Sequence, residues 1–282
     1  MAVRLGGPVF NPSDDPVELA RAHRKLGYRA AYCPRIALED KQKIAEIEKA
    51  FAAEDVLIAE VGVWVNMMDT NEEQRRKNLE AVCRGLALAD EVGALCCVDI
   101  AGSLNPERWD GPHPDNLSKR AFQMTVENVR YILDSVKPKR AKFVLEMMPW
   151  VIPDSPDSFV ELMKAVAQPG FAVHLDPVNI INSPTRYYEN GKLLEECFEK
   201  LGKWITSCHA KDSMLTNQLT THINEVRPGT GRLDYRTFLR ELESLPQDAP
   251  LLIEHLKSAE EYDLAREHII SVGKEIGVSL SW

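Results

Sequence analysis

Short β-rich segments alternate with amphipathic helical patterns along the whole chain, and this alternation limits the possible folds more than any other feature. The strand candidates are Val3–Phe10, Tyr28–Cys33, Leu57–Trp64, Leu95–Ile100, Lys142–Met147, Phe171–Asp176, Trp204–His209 and Pro250–Glu254. The helical patterns are Pro16–Leu26, Lys41–Ala53, Glu72–Val92, Leu117–Val136, Ser158–Ala167, Lys192–Leu201, Tyr235–Leu245 and Glu260–Ile276. The strands read as continuous apolar runs, which is typical of strands covered on both faces.

Eight such units in 282 residues average about 35 residues each, the usual spacing of a (β/α)8 barrel. A doubly wound sheet is the competing fold, and it often has a glycine-rich turn that leads from its first strand into a helix. Here Gly6-Gly7-Pro8 lies inside the first predicted strand. We therefore expect an α/β protein with a single-domain (β/α)8 TIM barrel over residues 1–282.

Capping signals mark several helix ends. Asn71 precedes an acidic first turn, and Asp157 or Ser158 precedes the fifth helical pattern. Gly27, Gly93 and Gly202 follow predicted helices, where a left-handed cap residue is expected.

Charge and hydropathy exclude several classes of protein. The formal net charge of −9 argues against nucleic acid as a partner, because phosphate binding needs a positive surface. The N-terminal segment MAVRLGGPVF lacks the features of a signal peptide, and no apolar run is long enough for a membrane span. The six cysteines show no CxxC spacing. These features predict a reduced, cytoplasmic protein.

Polar groups stand at the ends of the last four predicted strands, each after mostly apolar residues. They are Glu146, Asp176, His209 and Glu254. In a barrel these four ends lie side by side on one half of the rim where active sites are found. One acid in such a place is often a helix cap or the partner of a lysine, but four on successive strands indicate a common role.

Three buried carboxylates and an imidazole need a cation, because burial without one disfavours their charged forms. A divalent metal satisfies this need, and three oxygen ligands with one nitrogen suit Mn²⁺ first, with Mg²⁺, Co²⁺ or Zn²⁺ as alternatives.

This pattern resembles the metal set of the xylose isomerase-like TIM-barrel superfamily, which includes ketose 3-epimerases, hydroxypyruvate isomerase, inosose dehydratase and endonuclease IV. The resemblance covers nearly the full chain, with its best local matches in FVLEMMPW, FAVHLDPVN, SCHAKD, RPGTGRLDY and PLLIEHL. The acidic charge of this chain argues against the DNA-repair branch.

The resemblance implies roles for individual residues. Glu146 and Glu254 would bind the metal and move protons on opposite faces of the substrate, whereas Asp176 and His209 would serve the metal alone. Arg227 is the counterpart of a substrate-contacting arginine before a Gly-x-Gly stretch. Asn179 stands where epimerases usually have a second histidine, so it can hydrogen-bond a hydroxyl but cannot carry positive charge.

Two long connections, Ala101–Asn116 and Ala210–Asp234, are expected to be binding loops. In the first, Trp109 is a candidate wall for a sugar, and Asp110 a candidate hydroxyl ligand. His113 is either an extra acid/base group or a surface histidine.

Four residues near the polar strand ends carry further expectations. Trp150 is either a second sugar platform or a core residue. Lys211 either binds a substrate oxygen or pairs with Asp212. His174 precedes Asp176 by two residues, so it is a candidate for orienting a metal ligand. His255 is expected to be structural.

The leading functional hypothesis is a divalent-metal-dependent sugar isomerase or epimerase that acts on a keto-sugar or sugar acid through an enediolate. The alternative is a metal-dependent lyase, either a decarboxylase or a β-eliminase, acting on a 3-oxo sugar, sugar acid or C-glycoside. It is favoured by Asn179 and by a similarity of GPHP, HLDPVN, HAKD and RPGTGRLDY to 3-oxo-isoapionate decarboxylase-like proteins and to the barrel subunits of C-glycoside deglycosidases. A non-catalytic sugar-binding protein is the third reading. The expected partner is a small carbohydrate, with a homo-oligomer or a small partner subunit left open.

Overall fold

A closed barrel of parallel strands forms the centre of the protein in the computed structural model, which describes residues 2–10 and 12–281. The strands in chain order are β1 (Val3–Gly6), β2 (Ala30–Tyr32), β3 (Leu57–Gly62), β4 (Cys96–Asp99), β5 (Lys142–Glu146), β6 (Phe171–Leu175), β7 (Ile205–Ala210), β8 (Asp212–Leu215), β9 (Ile223–Val226), β10 (Leu251–Ile253) and β11 (Leu280–Ser281). Strands β1 to β7 pair in sequence, β7 pairs with β10, and β10 returns to β1 through Leu5 opposite Leu251. The predicted TIM barrel is therefore confirmed.

Helices surround this barrel in the order expected for βα units. They are α1 (Pro16–Lys25), α2 (Lys41–Ala53), α3 (Glu72–Val92), α4 (Lys119–Val136), α5 (Pro156–Val166), α6 (Pro184–Tyr188), α7 (Asn190–Leu201), α8 (Tyr235–Ser244) and α9 (Ala259–Ile276). The main hydrophobic core lies between the barrel and these helices, with large buried side chains such as Phe143, Phe159 and Phe238. Among the described residues, no helix is long and apolar enough to cross a membrane.

The first strand is shorter than its apolar pattern predicts: β1 ends at Gly6, whereas the predicted strand ended at Phe10. A Cβ atom at Gly6 would lie 2.3 Å from Leu252 Cδ2 and 2.5 Å from the carbonyl oxygen of Ala30. Gly6 thus allows the close approach of its two neighbouring strands at the point where the barrel closes.

Helix termini follow the capping rules with two corrections. Helix α5 begins at Pro156, because Ser155 rather than Asp157 or Ser158 is its N-cap and forms a capping box with Ser158. Gly27 and Gly93 adopt left-handed φ angles of 79° and 77° as expected. Gly202 does not: its φ is −44°, and it begins a 3-10 turn that leads into β7.

The connection 210–234 is not an irregular loop. It contains the antiparallel hairpin of β8 and β9, in which Ser213 lies opposite Glu225. This hairpin stands at the carboxyl end of β7, and so beside the polar strand ends.

Candidate metal and substrate site

The four polar strand ends meet in one cluster at the carboxyl end of the barrel. Glu146 ends β5, Asp176 follows β6, His209 lies near the end of β7 and Glu254 follows β10. One ligand atom from each residue lies within 4.8 Å of the others. His209 and Asp176 are fully buried, and the side chains of Glu146 and Glu254 are 6% and 11% exposed.

The polar atoms of this cluster lie against one another and against Lys211: His209 Nδ1 is 3.0 Å from Glu254 Oε1, and the ammonium of Lys211 contacts Asp176 Oδ2 and Glu254 Oε1. Three buried carboxylates outnumber the two groups here that can carry positive charge, His209 and Lys211, so a further cation would offset the excess negative charge. Three carboxylates and one imidazole nitrogen are ligands that a divalent cation accepts. These residues therefore fit a metal ion on chemical grounds.

The ammonium of Lys211 supplies positive charge at the same place. Its Nζ lies 2.7 Å from Asp176 Oδ2 and 2.6 Å from Glu254 Oε1, with Glu146 and Glu225 oxygens at 3.7 and 3.6 Å. The pKa of Lys211 is raised: burial opposes the charged form, but the carboxylates around it outweigh that cost. Lys211 thus faces the cluster and does not pair with Asp212.

Burial and charge act differently on the two glutamates. Burial raises the pKa of Glu146 to about 7, against the opposing attraction of His209 and Lys211. Burial also disfavours ionised Glu254, but His209 and Lys211 outweigh it and lower the pKa of that carboxyl. The same carboxylates raise the pKa of His209 despite its burial. The site as a whole therefore favours positive charge.

A buried carboxylate behind His209 orients its ring. His209 Nε2 lies 3.1 Å from Glu60 Oε1, and the hydroxyl of Ser207 donates to Glu60 Oε2 at 3.2 Å. Because an ionised carboxylate only accepts, the Nε2–H of His209 donates to Glu60, so Nδ1 is the ring nitrogen that faces Glu146, Asp176 and Glu254. His174 continues the chain, with Nδ1 2.6 Å from Ser207 Oγ and its ring centroid 4.0 Å from that of His209. Its burial next to His209 lowers the pKa of His174 to about 3, so this ring is neutral.

Asn179 contacts the cluster from the loop after β6. Its Nδ2 donates to Glu146 Oε1 at 2.8 Å and to the carbonyl oxygen of Met147 at 3.1 Å. Lys211 Nζ donates to Asn179 Oδ1 at 3.4 Å. The amide therefore holds Glu146 in place.

A cavity of about 450 Å³, here called the metal cavity, opens above the cluster. Its lining residues are Trp64, Ile100, Arg108, Trp109, Asp110, Glu146, Met148, Trp150, Asn179, Lys211, Glu225, Glu254 and His255. The three tryptophans are 37–43% exposed, and Trp150 Nε1 donates to the carbonyl oxygen of Asp110 at 2.7 Å. Trp150 is therefore no core residue, and it ties the two loops that bound the cavity.

Two residues proposed from the sequence do not reach this cavity. His113 Nδ1 instead accepts from the backbone N–H of Asp115, at the start of a short 3-10 helix. Arg227 Nη1 donates to the carbonyl oxygen of Pro228, in a loop anchored by Asp212. Each is held by local contacts on its own loop.

Other residues of the site were not identified from the sequence. Glu60 lies in the buried apolar strand LIAEVG. A single charged residue in such a strand is rarely buried without a partner, so it could have indicated a site residue. Trp64 and Glu225 have no local signal, because only the folded loops bring them to the cavity. His255, which is expected to be structural, lines the cavity, and its Nδ1 lies 3.1 Å from Glu225 Oε1.

Comparisons with known proteins agree with this architecture. The family model described as "Xylose isomerase-like TIM barrel" matches residues 20–272. No curated protein sequence matches the chain significantly.

Three solved structures illustrate the similarity in fold. A xylose isomerase-like TIM barrel protein from Mycobacterium smegmatis, in complex with magnesium, is 20% identical over 98% of each chain, with a TM-score of 0.68. The 3-keto-D-glucoside 4-epimerase of E. coli is 14% identical over 97% of this chain and 99% of its own, with a TM-score of 0.66. The D-psicose 3-epimerase of Clostridium cellulolyticum H10, with D-tagatose, is 14% identical over 99% of this chain and 100% of its own, with a TM-score of 0.67.

At these identities the structural similarity concerns the fold. The family model, in contrast, covers most of the chain, including every strand that carries a member of the cluster. The chain belongs to the xylose isomerase-like TIM barrel family.

Proposed function

We propose that this protein is a divalent-metal-dependent isomerase or epimerase that acts on a keto-sugar through an enediolate. The observation that carries the proposal is the buried cluster of Glu146, Asp176, His209 and Glu254, whose possible ligand atoms lie within 4.8 Å of one another, next to a cavity walled by tryptophans. The similar folds of two sugar epimerases support the reaction class.

Glu146, Asp176, His209 and Glu254 would hold the metal, for which Mn²⁺ is the first choice. When bound, a divalent ion supplies Lewis-acid polarisation of a carbonyl and its neighbouring hydroxyl, worth several kcal/mol. Glu60 and Asn179 would keep His209 and Glu146 in their ligand orientations through the hydrogen bonds described above.

Glu146 and Glu254 are the proposed proton carriers. They enter the cluster from β5 and β10, with β6 and β7 between them, so they approach a bound sugar from different sides. One carboxylate removes the hydrogen α to the carbonyl, and the other returns a proton to the opposite face or to the neighbouring carbon. The first outcome is epimerisation and the second is isomerisation.

The walls of the metal cavity provide the proposed sugar contacts. Trp109 and Trp150 offer aromatic faces to the apolar side of a sugar ring. Asp110, Asn179 and Lys211 offer hydrogen-bonding groups for its oxygens. His113 and Arg227 have no part in this proposal, because neither lines the cavity.

Proton NMR in D₂O tests this function on the Mn²⁺-loaded protein with a panel of keto-sugars. We expect deuterium at the carbon beside the carbonyl, with the carbon skeleton retained. Glu146→Gln and Glu254→Gln should each lower the exchange rate by at least about 100-fold, the contribution of a positioned acid/base group. Glu199→Gln, at an exposed position on α7, is the matched control and should exchange at the native rate. Absence of exchange with every sugar, together with tight sugar binding, would contradict the proposal and favour a sugar-binding protein.

A lyase is the second candidate, and the cations of the cavity favour it. Lys211 and Arg108 both line the metal cavity, so a sugar acid would find a partner for its carboxylate there. A β-keto acid could lose CO₂ to form the enolate directly, and an enolate with a leaving group on its β-carbon could expel that group instead of being reprotonated. The same NMR experiment separates the two reactions, because loss of a fragment would overturn the isomerase in favour of the lyase.

A further inference from the structure

We infer that the substrate is a glycoside, in which a keto-sugar at the metal carries a second, uncharged sugar unit in a neighbouring cavity. This inference rests on the proposed function and extends it to a substrate class. The neighbouring cavity, here called the flanking cavity, has a volume of about 400 Å³.

The two cavities meet along a shared wall. Trp150, Asn179 and Glu225 line both of them. Trp150 is 37% exposed, and Asn179 touches Glu146 of the metal cluster. These three side chains therefore lie between a reacting ring above the cluster and the flanking cavity.

The lining of the flanking cavity suits an uncharged polyol. Its other members are Pro149, Val178, Ile181, Asn182, Ser213, Thr221, Ile223 and Asn224. Amides and hydroxyls can bond sugar hydroxyls, while the aliphatic side chains and Trp150 can cover the C–H face of a ring. Glu225 is the one charged residue in this lining, and its negative charge disfavours a phosphate or a carboxylate.

The lining of the flanking cavity includes a hydroxyl group, that of Ser213, for which no hydrogen bond is found in the described part of the chain. Ser213 is fully buried on β8, and its Oγ has no hydrogen-bond partner among the described residues. A buried hydroxyl without a partner is costly and rare. A ligand hydroxyl in the flanking cavity would satisfy it.

The volumes of the two cavities agree with a substrate of two sugar units. Each cavity falls within the range of small-molecule sites, about 300–1,000 Å³. The metal cavity is thus large enough for the reacting sugar by itself, which leaves the flanking cavity for a further unit.

Calorimetric binding to the Mn²⁺-loaded protein tests the inference without any turnover. The probes are cellobiose and maltose, compared with glucose, none of which carries the keto group. We expect at least one disaccharide to bind at least about tenfold more tightly than glucose, an advantage within the range that a few well-placed contacts supply. Equal binding of all three sugars would overturn the inference.

Variants test whether the tighter binding of a disaccharide depends on the flanking cavity. Asn224→Trp should fill the flanking cavity and abolish the preference for the disaccharide, and Asn182→Ala, which lies outside the hairpin, should reduce it severalfold. Asn217→Trp is the matched control, because Asn217 is exposed in the same hairpin connection and outside the lining of either cavity. A preference that survives both cavity variants would contradict the inference.

Deuterium exchange separates this inference from the proposed function. Exchange with free keto-sugars and no disaccharide preference would leave the isomerase standing and remove the second subsite. A disaccharide preference with no exchange on any 3-oxo glycoside would keep the subsite and overturn the isomerase.

Discussion

At the scale of single residues, the site is a balance of charges in which one ammonium faces four carboxylates. Lys211 lies within 4 Å of oxygens on Glu146, Asp176, Glu225 and Glu254. A metal ion in the cluster would share these carboxylates with the lysine. Lys211 and the ion therefore compete for the same negative charge.

This competition predicts that Lys211→Met binds Mn²⁺ about tenfold more tightly, because a nearby charge shifts ionic equilibria by about one pKa unit or more. Isothermal titration calorimetry measures the affinity. Lys257→Met, at an exposed position, is the control and should bind as the native protein does. Weaker binding by Lys211→Met would show that the lysine supports the ion instead of opposing it.

A second prediction at this scale concerns the carboxylate of Glu60, which bonds to His209. Replacement by Gln keeps the shape of the side chain but removes the charge that holds the Nε2–H of His209. We expect Mn²⁺ affinity to fall by about 10–100-fold, the usual effect of losing such a partner. Glu73→Gln removes an exposed i,i+4 pair with Lys77 and should leave the affinity unchanged. Native affinity in Glu60→Gln, with native thermal stability, would refute the orienting role.

At the scale of elements, the hairpin of β8 and β9 is the part of the site that departs most from an ideal βα unit. Asp212 fixes its base through four backbone N–H groups. Its Oδ1 accepts from Ser213 and Leu233, and its Oδ2 from Gly229 and Gly231. One buried carboxylate thus ties the hairpin to the RPGTG segment.

Asp212→Asn should therefore destabilise the protein by about 3 kcal/mol. The amide would point an NH₂ donor at two N–H donors, so two backbone groups that now bond to Asp212 would lose their acceptor. Urea denaturation measures the change in the free energy of unfolding. Asp263→Asn, which removes a partly exposed pair with Arg266, is expected to change it by less than about 1 kcal/mol. Equal effects of the two substitutions would contradict the anchoring role.

At the scale of the whole molecule, closure of the barrel brings together carboxylates that are far apart in the sequence. The cluster spans positions 146 to 254, and its three carboxylates repel one another unless enough positive charge lies beside them. An ion that binds only the folded chain should therefore stabilise the fold by mass action.

We expect Mn²⁺ at 100 times its dissociation constant to stabilise the fold by about 2.7 kcal/mol, and hence to raise the melting temperature by about 5–10 °C. Differential scanning calorimetry with Mn²⁺ and with EDTA measures the shift. Asp176→Asn should abolish most of it, whereas Asp115→Asn, at an exposed position, should retain it. The same shift in Asp176→Asn as in the native protein would place the ion elsewhere.

The barrel and the candidate residues of the polar cluster could both be predicted from the amino-acid sequence, because both follow from local periodicity. Continuous apolar runs predict covered strands, and in a parallel barrel all strand ends point to one rim, so Glu146, Asp176, His209 and Glu254 could be grouped without coordinates. The helix end at Gly93 was predicted correctly because its cap is local, whereas the prediction at Gly202 was wrong because a 3-10 turn continues from there into β7.

The surroundings of the cluster, in contrast, are visible only in the folded chain. Glu60 reaches His209 across the barrel interior, 149 positions away in sequence, and Trp64, Trp109 and Trp150 share one cavity because three separate loops fold over the same rim. His113 was proposed for the site, yet a local contact with Asp115 holds it. Side-chain contacts between distant segments depend on loop paths, and loop paths have no periodicity that a sequence pattern can show.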